Sequence, residues 1–447
     1  MSTHVAEPTD AITPTLTGVP APDRQAGETE AGTPQRVARR LLERFALIAF
    51  ALYHLPLFLN NYPSLGGGGM SDHGLAIRWG HVFARPGMWV VRHVFQMTGP
   101  MPQAYQGDNG DVAEEFGRLF LAVVIAAVGA AWWTIADWRR QRSRWVGDAL
   151  RVLLRYSIAL GLTGYAVAKL LPVQFAPLQT FSLEQRVGDM APMSLLWAFM
   201  SYSRPYAFFA GVMEIAVVLL LCFRRTATLG ALLCIVVMTN VASMNYAYGV
   251  PVKLYATMIV LSAAVLVLYD LRRLLAVFIK NQTAPPAPLA PLFLDRIPVS
   301  LRWTIKGLLV GSVLLSSTVA MSAVVGSRGV AAELDGLWRV TSFAYDGDTA
   351  GTRDLARWRQ LTFFGDRAAI RLVSDSMLFC QPAQPATPGA LNFQCAQDHR
   401  AELRWTRNGD VLQIDGTFDG THLTAAAKHV VPSDYRLMKA KFRWMID

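Results

Sequence analysis

Six polar side chains have the type and position to do chemistry: Lys169, Gln174, Glu214, Asn240, Asn245 and Lys253. All lie within or at the ends of long apolar runs. An ionisable group is costly in such a run and marks either a binding site or a contact between helices. Glu214 stands nine residues past Pro205, so a helical rise of 1.5 Å per residue puts it roughly 13 Å below the outer end of its run. It shares a helix face with Ala207, Ala210 and Gly211, small residues that let a neighbouring helix approach closely. Lys169 and Lys253 are its candidate partners. Two readings stay open at this point. The six residues could line one polar pocket in the outer half of a bundle, suited to a quinone head group, a proton or a small polar ligand. Alternatively, Glu214 makes an interhelical ion pair or hydrogen bond that fixes helix register.

Histidine and cysteine add less. His54, His73, His81 and His93 precede residue 100, and imidazole is a common metal ligand. They show no HxxxH spacing, and the chain has no CxxCH, so no metal site is expected and these histidines read as interfacial. Cys222 and Cys234 fall in apolar runs and read as core residues. Cys380 and Cys395 fall in a polar region, where an oxidising compartment permits a disulfide. Closing a loop of that length is worth roughly 3 kcal/mol in the chain-entropy view. There is no CxxC, Walker loop, GxGxxG, HExxH or GxSxG to point to a soluble enzyme.

The elements that must position these residues are membrane helices. The chain has 447 residues, 53% hydrophobic and only 17% charged, which departs from soluble proteins in both respects. Seven segments are long and apolar enough to span a bilayer: 42–59, 117–137, 152–172, 205–223, 227–246, 252–270 and 303–325. Seventeen Lys and Arg residues fall in alternate connections, among them Arg36, Arg139, Arg224 and Arg272. The opposite connections hold seven, including Arg78, Arg204 and Lys253. The positive-inside rule then puts the N-terminus in the cytoplasm and the C-terminus outside. The net charge of +10 belongs to these helix ends, so a nucleic-acid partner is not expected.

Residues 1–34 are rich in Pro, Thr, Ala, Gly and Glu and read as a disordered cytoplasmic tail. Residues 35–150 hold the first two spans and a long periplasmic loop with an amphipathic stretch around Trp79–Phe95, which reads as lying at the membrane interface. Residues 151–280 form a four-helix core. A Pro-rich cytoplasmic linker, 281–300, leads to the last span within 301–328. From 329 to 447 the pattern becomes period-two: Leu403 with Trp405, Leu412 with Ile414, and Phe442 with Trp444 and Ile446 face one way. Turn signals at Asp346-Gly347, Asn408-Gly409 and Asp419-Gly420 divide this region into about eight short strands, a small antiparallel barrel or sandwich. The expected fold is an all-α polytopic membrane bundle with a β-rich domain outside it.

Between Tyr156 and about Leu275 the chain resembles the DoxX family of four-helix membrane domains. The resemblance rests on Gly164-Tyr-Ala-Val-Ala-Lys169, Leu171-Pro-Val-Gln-Phe175, Pro192-Met-Ser-Leu-Leu-Trp197, Phe209-Ala-Gly-Val-Met-Glu214, Arg224-Arg-Thr-Ala-Thr-Leu-Gly230 and Asn245-Tyr-Ala-Tyr-Gly-Val-Pro-Val-Lys253. The longer strings resemble an extended, largely uncharacterised subgroup. Lys169 and Glu214 match family positions. The resemblance implies a membrane subunit associated with redox enzymes, since founding members serve thiosulfate:quinone oxidoreductase. The outer domain, with Gly336-Leu-Trp338 at its start and Arg443 near its end, is similar to lipocalin-like barrels, in which the arginine packs over the tryptophan.

Three functions follow as expectations, in this order. The first is a quinone-binding or accessory subunit, more an accessory than a self-contained enzyme, working in the bacterial inner membrane with a periplasmic or membrane redox protein. The second is a lipid or small-molecule binding or transport module with a cavity in the β domain. The third is a structural or assembly protein that docks a periplasmic partner.

Overall fold

The computed structural model describes residues 34–60, 75–98, 111–137, 144–178, 180–286, 298–326, 332–346, 356–364, 367–383, 389–395 and 399–439. The expected tail 1–33, the turn signal at Gly347, the strand of Phe442, Trp444 and Ile446, and Arg443 lie outside these residues.

The helical part contains α1 (Pro34–Asn60), α2 (Leu75–His93), α3 (Ala113–Ala136), α4 (Arg144–Leu170), the short α5 (Thr180–Glu184), α6 (Pro192–Tyr202), α7 (Arg204–Cys222), α8 (Ala227–Ala247), α9 (Lys253–Leu274) and α10 (Val299–Gly326). Among the described residues, five of these are long and apolar enough to cross a membrane: α3, α4 from Trp145, α7, α8, and α9 with its π-helical extension to Ile279. Long apolar side chains on them point outward, such as Trp132 and Ile135 on α3, Val236 on α8 and Leu268 on α9. In water that exposure would be unfavourable, whereas against acyl chains it costs nothing. Inward faces instead carry small residues. On α3 the buried positions Ala122, Ala126 and Ala130 recur every fourth residue, so α1 and α2 pack close against it.

α4 is the central helix. It packs along α7 and touches α1, α9 and α10, and Leu150, Leu154, Ile158 and Leu162 point into the bundle core with Val217 and Leu221 of α7 and Ile259 of α9. α2, the amphipathic stretch expected at the interface, buries Val90 and Val91 against α3 while Val82 and Trp89 stay exposed. It is therefore partly a packing element of the bundle.

The C-terminal region is a closed antiparallel barrel of eight strands in sequence order: β1 (Gly336–Tyr345), β2 (Trp358–Phe364), β3 (Arg367–Leu372), β4 (Met377–Ala383), β5 (Ala390–Cys395), β6 (Arg400–Asn408), β7 (Val411–Phe418) and β8 (Thr421–Val430). β8 returns to pair with β1, from Leu337 opposite Val430 to Tyr345 opposite Leu423. Two hairpins turn where the sequence placed them. Gly409 has φ +61°, and Asp419 and Gly420 have φ +51° and +77° between the paired Phe418 and Thr421. Positive φ at both central residues is the twist-matched hairpin geometry.

Candidate functional site

Lys169 occupies the last turn of α4, and Glu214 lies near the middle of α7. The lysine Nζ donates to the carboxylate, 3.0 Å from each of Oε1 and Oε2. Both residues are buried, Lys169 with 6% and Glu214 with 2% of its surface exposed. Gly211 makes this contact possible: a Cβ there would fall 3.1 Å from the Lys169 Cβ and 3.2 Å from the Ala166 carbonyl oxygen. The small face of α7 thus lets the two backbones approach until the ammonium and carboxylate meet. Tyr165, one turn before Lys169, lies with its ring 5.7 Å from Nζ, within cation–π range.

Further polar groups surround this pair. The rings of Tyr165 and Tyr255 are 5.7 Å apart, and Tyr255 on α9 has Tyr53, Tyr165 and Glu214 as electrostatic neighbours. The Tyr255 hydroxyl lies against Gly161 of α4, where a Cβ would be only 2.1 Å away. His54 of α1 is buried, with Nε2 3.0 Å from Ser262 Oγ on α9 and its ring stacked on Phe50. This corrects its reading as an interfacial histidine; the packing of α1 onto the bundle draws it inward. His93 remains exposed and contacts the Trp89 carbonyl, and the side chains of His73 and His81 lie outside the described residues. Among the described residues no group of three His, Cys, Asp or Glu is placed to hold a metal.

The other four expected pocket residues separate. Lys253 does not reach Glu214. Its Nζ lies 3.2 Å from Asp111 Oδ2, and the same carboxylate accepts from the backbone N–H groups of Lys253 (2.8 Å) and Leu254 (2.9 Å). Asp111 therefore caps the N-terminus of α9 from a distant part of the chain, satisfying donors that a helix leaves without partners. Asn245 is buried, and its Nδ2 donates to the Val252 carbonyl at 3.4 Å, tying the end of α8 to the start of α9. Gln174 is half-buried in the turn after α4, and its Oε1 has no partner among the described residues. Asn240 is exposed on the outside of α8 and does not belong to the site. Helical phase explains this: Asn240 is five residues before the buried Asn245, well over 90° away around the helix.

Two buried charges near the other end of the bundle escaped notice in the sequence. Arg44 pairs with Asp137 at 2.5 Å, with its guanidinium 4.9 Å from the Trp133 ring. Arg155 donates to the Leu221 carbonyl at 2.9 Å. Arg44 reads in the sequence as positive charge preceding the first span, and Arg155 lies inside the span 152–172. Only a helical-wheel placement of Arg44 on the face shared with Leu47 would have marked it.

The barrel interior is different. Trp338, Trp358, Leu361, Phe363, Ile370 and Leu412 belong to one continuous buried cluster that fills it. Trp338 donates from Nε1 to the Leu334 carbonyl at 2.7 Å and is covered by the guanidinium of Arg407, 5.1 Å from the ring. Arg407 stands at the end of β6, while Arg443, which the lipocalin resemblance pairs with the tryptophan, lies outside the described residues. Cys380 and Cys395 stand directly opposite each other on β4 and β5 and are joined by a disulfide. A shallow cleft of about 540 Å³ lies against β1, β6, β7 and β8, where Arg404, Thr406, Gln413 and Asp415 are exposed.

Comparison with known proteins adds one relative and no family. No family model and no solved structure matches the chain. Over 133 residues, 30% of its length, the chain is 28% identical to the "Uncharacterized protein YwoB" of Bacillus subtilis (strain 168), and the match covers 84% of that protein.

Proposed function

We propose that this chain is a multi-pass membrane protein of DoxX type that serves a membrane redox system as a quinone-binding or accessory subunit. In this reading α1 and α10 join the five apolar helices to make seven spans. The N-terminus is cytoplasmic and the barrel periplasmic, at the inner membrane of a bacterium. The distribution of basic residues, seventeen in alternate connections against seven in the others, supports that orientation.

The observation that carries the proposal is the buried contact between Lys169 and Glu214, with Tyr165 beside it and Tyr255 near. A cation, a carboxylate and phenol hydroxyls stand together inside the bundle. The ammonium and phenol donors fit a quinone head group, whose carbonyls accept hydrogen bonds and whose reduction consumes protons. The quinone would supply the two-electron chemistry. Lys169 would bind and orient the head group, and Glu214 would hold or release a proton.

The test is mass spectrometry of an organic extract from the detergent-purified protein, beside Glu214→Ala and the paired Lys169→Met, Glu214→Leu variant. Stoichiometric quinone in the native chain and none in the variants supports the proposal. Native protein without quinone, together with unchanged respiratory electron flow when the chain is deleted, overturns it. A second reading is an assembly protein that presents the barrel's outer face to a periplasmic partner, supported by the open cleft in which Arg404, Gln413 and Asp415 stand beside Phe343, Trp405 and Ile414. A lipid carrier using the barrel interior has less support, because buried side chains occupy that space.

A further inference from the structure

Glu184, at the end of the short α5, belongs to the connection between α4 and α6, yet its partners are all on the barrel. Arg339 of β1 donates from Nη2 to its Oε1 at 2.6 Å, and Gln360 of β2 donates from Nε2 to its Oε2 at 2.8 Å. The Tyr435 hydroxyl, from the segment after β8, donates to Oε1 at 2.5 Å. Arg371 of β3 donates to the Glu184 backbone carbonyl at 3.1 Å. Three donors from separate barrel elements therefore converge on one carboxylate, and a fourth holds its main chain. Gln360 and Arg371 are themselves buried, with 4% and 9% of their surfaces exposed, so this part of the barrel is a built site. Two residues on, Arg186 pairs with Asp375 at 3.0 Å, a second point of attachment with the opposite charge order.

We propose that the barrel carries a carboxylate-binding site formed by Arg339, Gln360, Arg371 and Tyr435, whose ligand is Glu184 of its own chain. The contact is a latch that fastens the barrel to the loop directly after Lys169. The chemistry is that of charge-assisted hydrogen bonds to a carboxylate, with two acceptor oxygens shared among an arginine, an amide and a phenol. The latch adds a side-chain attachment to the chain connection between α10 and the barrel. With it, the barrel has a fixed position over the end of the bundle where α4 finishes. The latch is independent of what the bundle binds, so its failure leaves the quinone proposal untouched.

The test is pulsed electron–electron resonance on the full-length protein in detergent or nanodiscs, with nitroxides at Val187→Cys and Val373→Cys. Both positions are exposed and flank the contact, while the native Cys222 and Cys234, which form no disulfide, are buried. The expected result is one narrow distance distribution that becomes broad in Glu184→Ala. Because Glu184 is only one partner, Tyr435→Phe and Arg339→Met should each broaden the distribution, and neither should add to the effect of Glu184→Ala. Intact aromatic packing in each variant is read by near-ultraviolet circular dichroism, to which the buried Trp338 and Trp358 contribute. A broad distribution in the native chain, or a narrow one retained in Glu184→Ala, overturns the latch.

Discussion

The bundle and the barrel place their polar groups in opposite ways. The bundle meets an apolar exterior and keeps ionisable side chains inside: Lys169 with Glu214, Arg44 with Asp137, His54 with Ser262. The barrel has an apolar interior and carries its charges outside, with Arg339, Arg404 and Asp415 exposed on its strands. The difference teaches where each domain can do work. A barrel filled by Trp338, Trp358 and Phe363 has committed its interior to stability, so its recognition chemistry is external. A bundle that buries an ammonium and a carboxylate bears a desolvation cost that apolar residues would avoid. That cost makes its interior the place to look for chemistry.

The contrast can be broken most sharply at Trp338. Replacing it with alanine removes a fully buried ring and its hydrogen bond to Leu334. Unfolding of the barrel should become easier by about 3–5 kcal/mol, measured by denaturant titration of the full chain, while the melting of the helices stays unchanged. A barrel that tolerates the change would not be a stability-filled interior. At the bundle, Glu214→Leu strands the Lys169 ammonium and should cost about 3 kcal/mol or more, seen as a lower melting temperature in detergent. Adding Lys169→Met should recover most of that loss, because two apolar side chains replace a desolvated pair. If stability returns while quinone binding does not, the pair serves function at the expense of stability.

A smaller effect is expected at Asp111. Its removal as Asp111→Ala takes the cap from α9 and should cost about 1 kcal/mol, with faster amide exchange at Lys253 and Leu254. The smallest concerns pH. Partial burial raises the Glu184 pKa, but the hydrogen bonds from Tyr435, Gln360 and Arg339 outweigh it and hold the group below its ordinary value of 4.5. A lowered folded pKa gives stability that is present above the ordinary value and lost as pH falls through the folded one. The charged groups that face it are Arg339, Arg371 and Arg186, the last paired with Asp375. The distance between bundle and barrel should therefore be constant from pH 8 to pH 5 and change only in stronger acid.

Much of the architecture was legible because each domain repeats a simple rule. Apolar runs of about twenty residues marked α3, α7, α8 and α9 within a few residues, since a helix in lipid has no other way to satisfy its backbone, whereas α4 begins at Arg144, eight residues before the expected run. Period-two alternation at Leu403, Leu412 and Ile414 and glycine turns at Gly409 and Gly420 marked the strands. Close packing at Glu214 was legible from the small residues beside it, but its partner was legible only as one of two lysines, Lys169 or Lys253. Contacts between distant segments were not legible. Asp111 reaching Lys253, Arg407 over Trp338 and Glu184 in the barrel each join residues with no shared periodicity. Asn240 failed as a pocket residue because depth along a helix was read without its rotation.

The ring of eight strands closes only when β8 pairs with β1, Val430 returning to Leu337. During synthesis, β1 through β7 emerge first and expose two unpaired strand edges until the last ten-residue strand arrives. The domain is therefore open to chaperones and proteases up to that moment, and a chain stopped before Thr421 would stay a sticky, unclosed sheet. Closure then removes every edge at once. The finished barrel cannot recruit a partner by adding a strand, and whatever meets it must read its side chains.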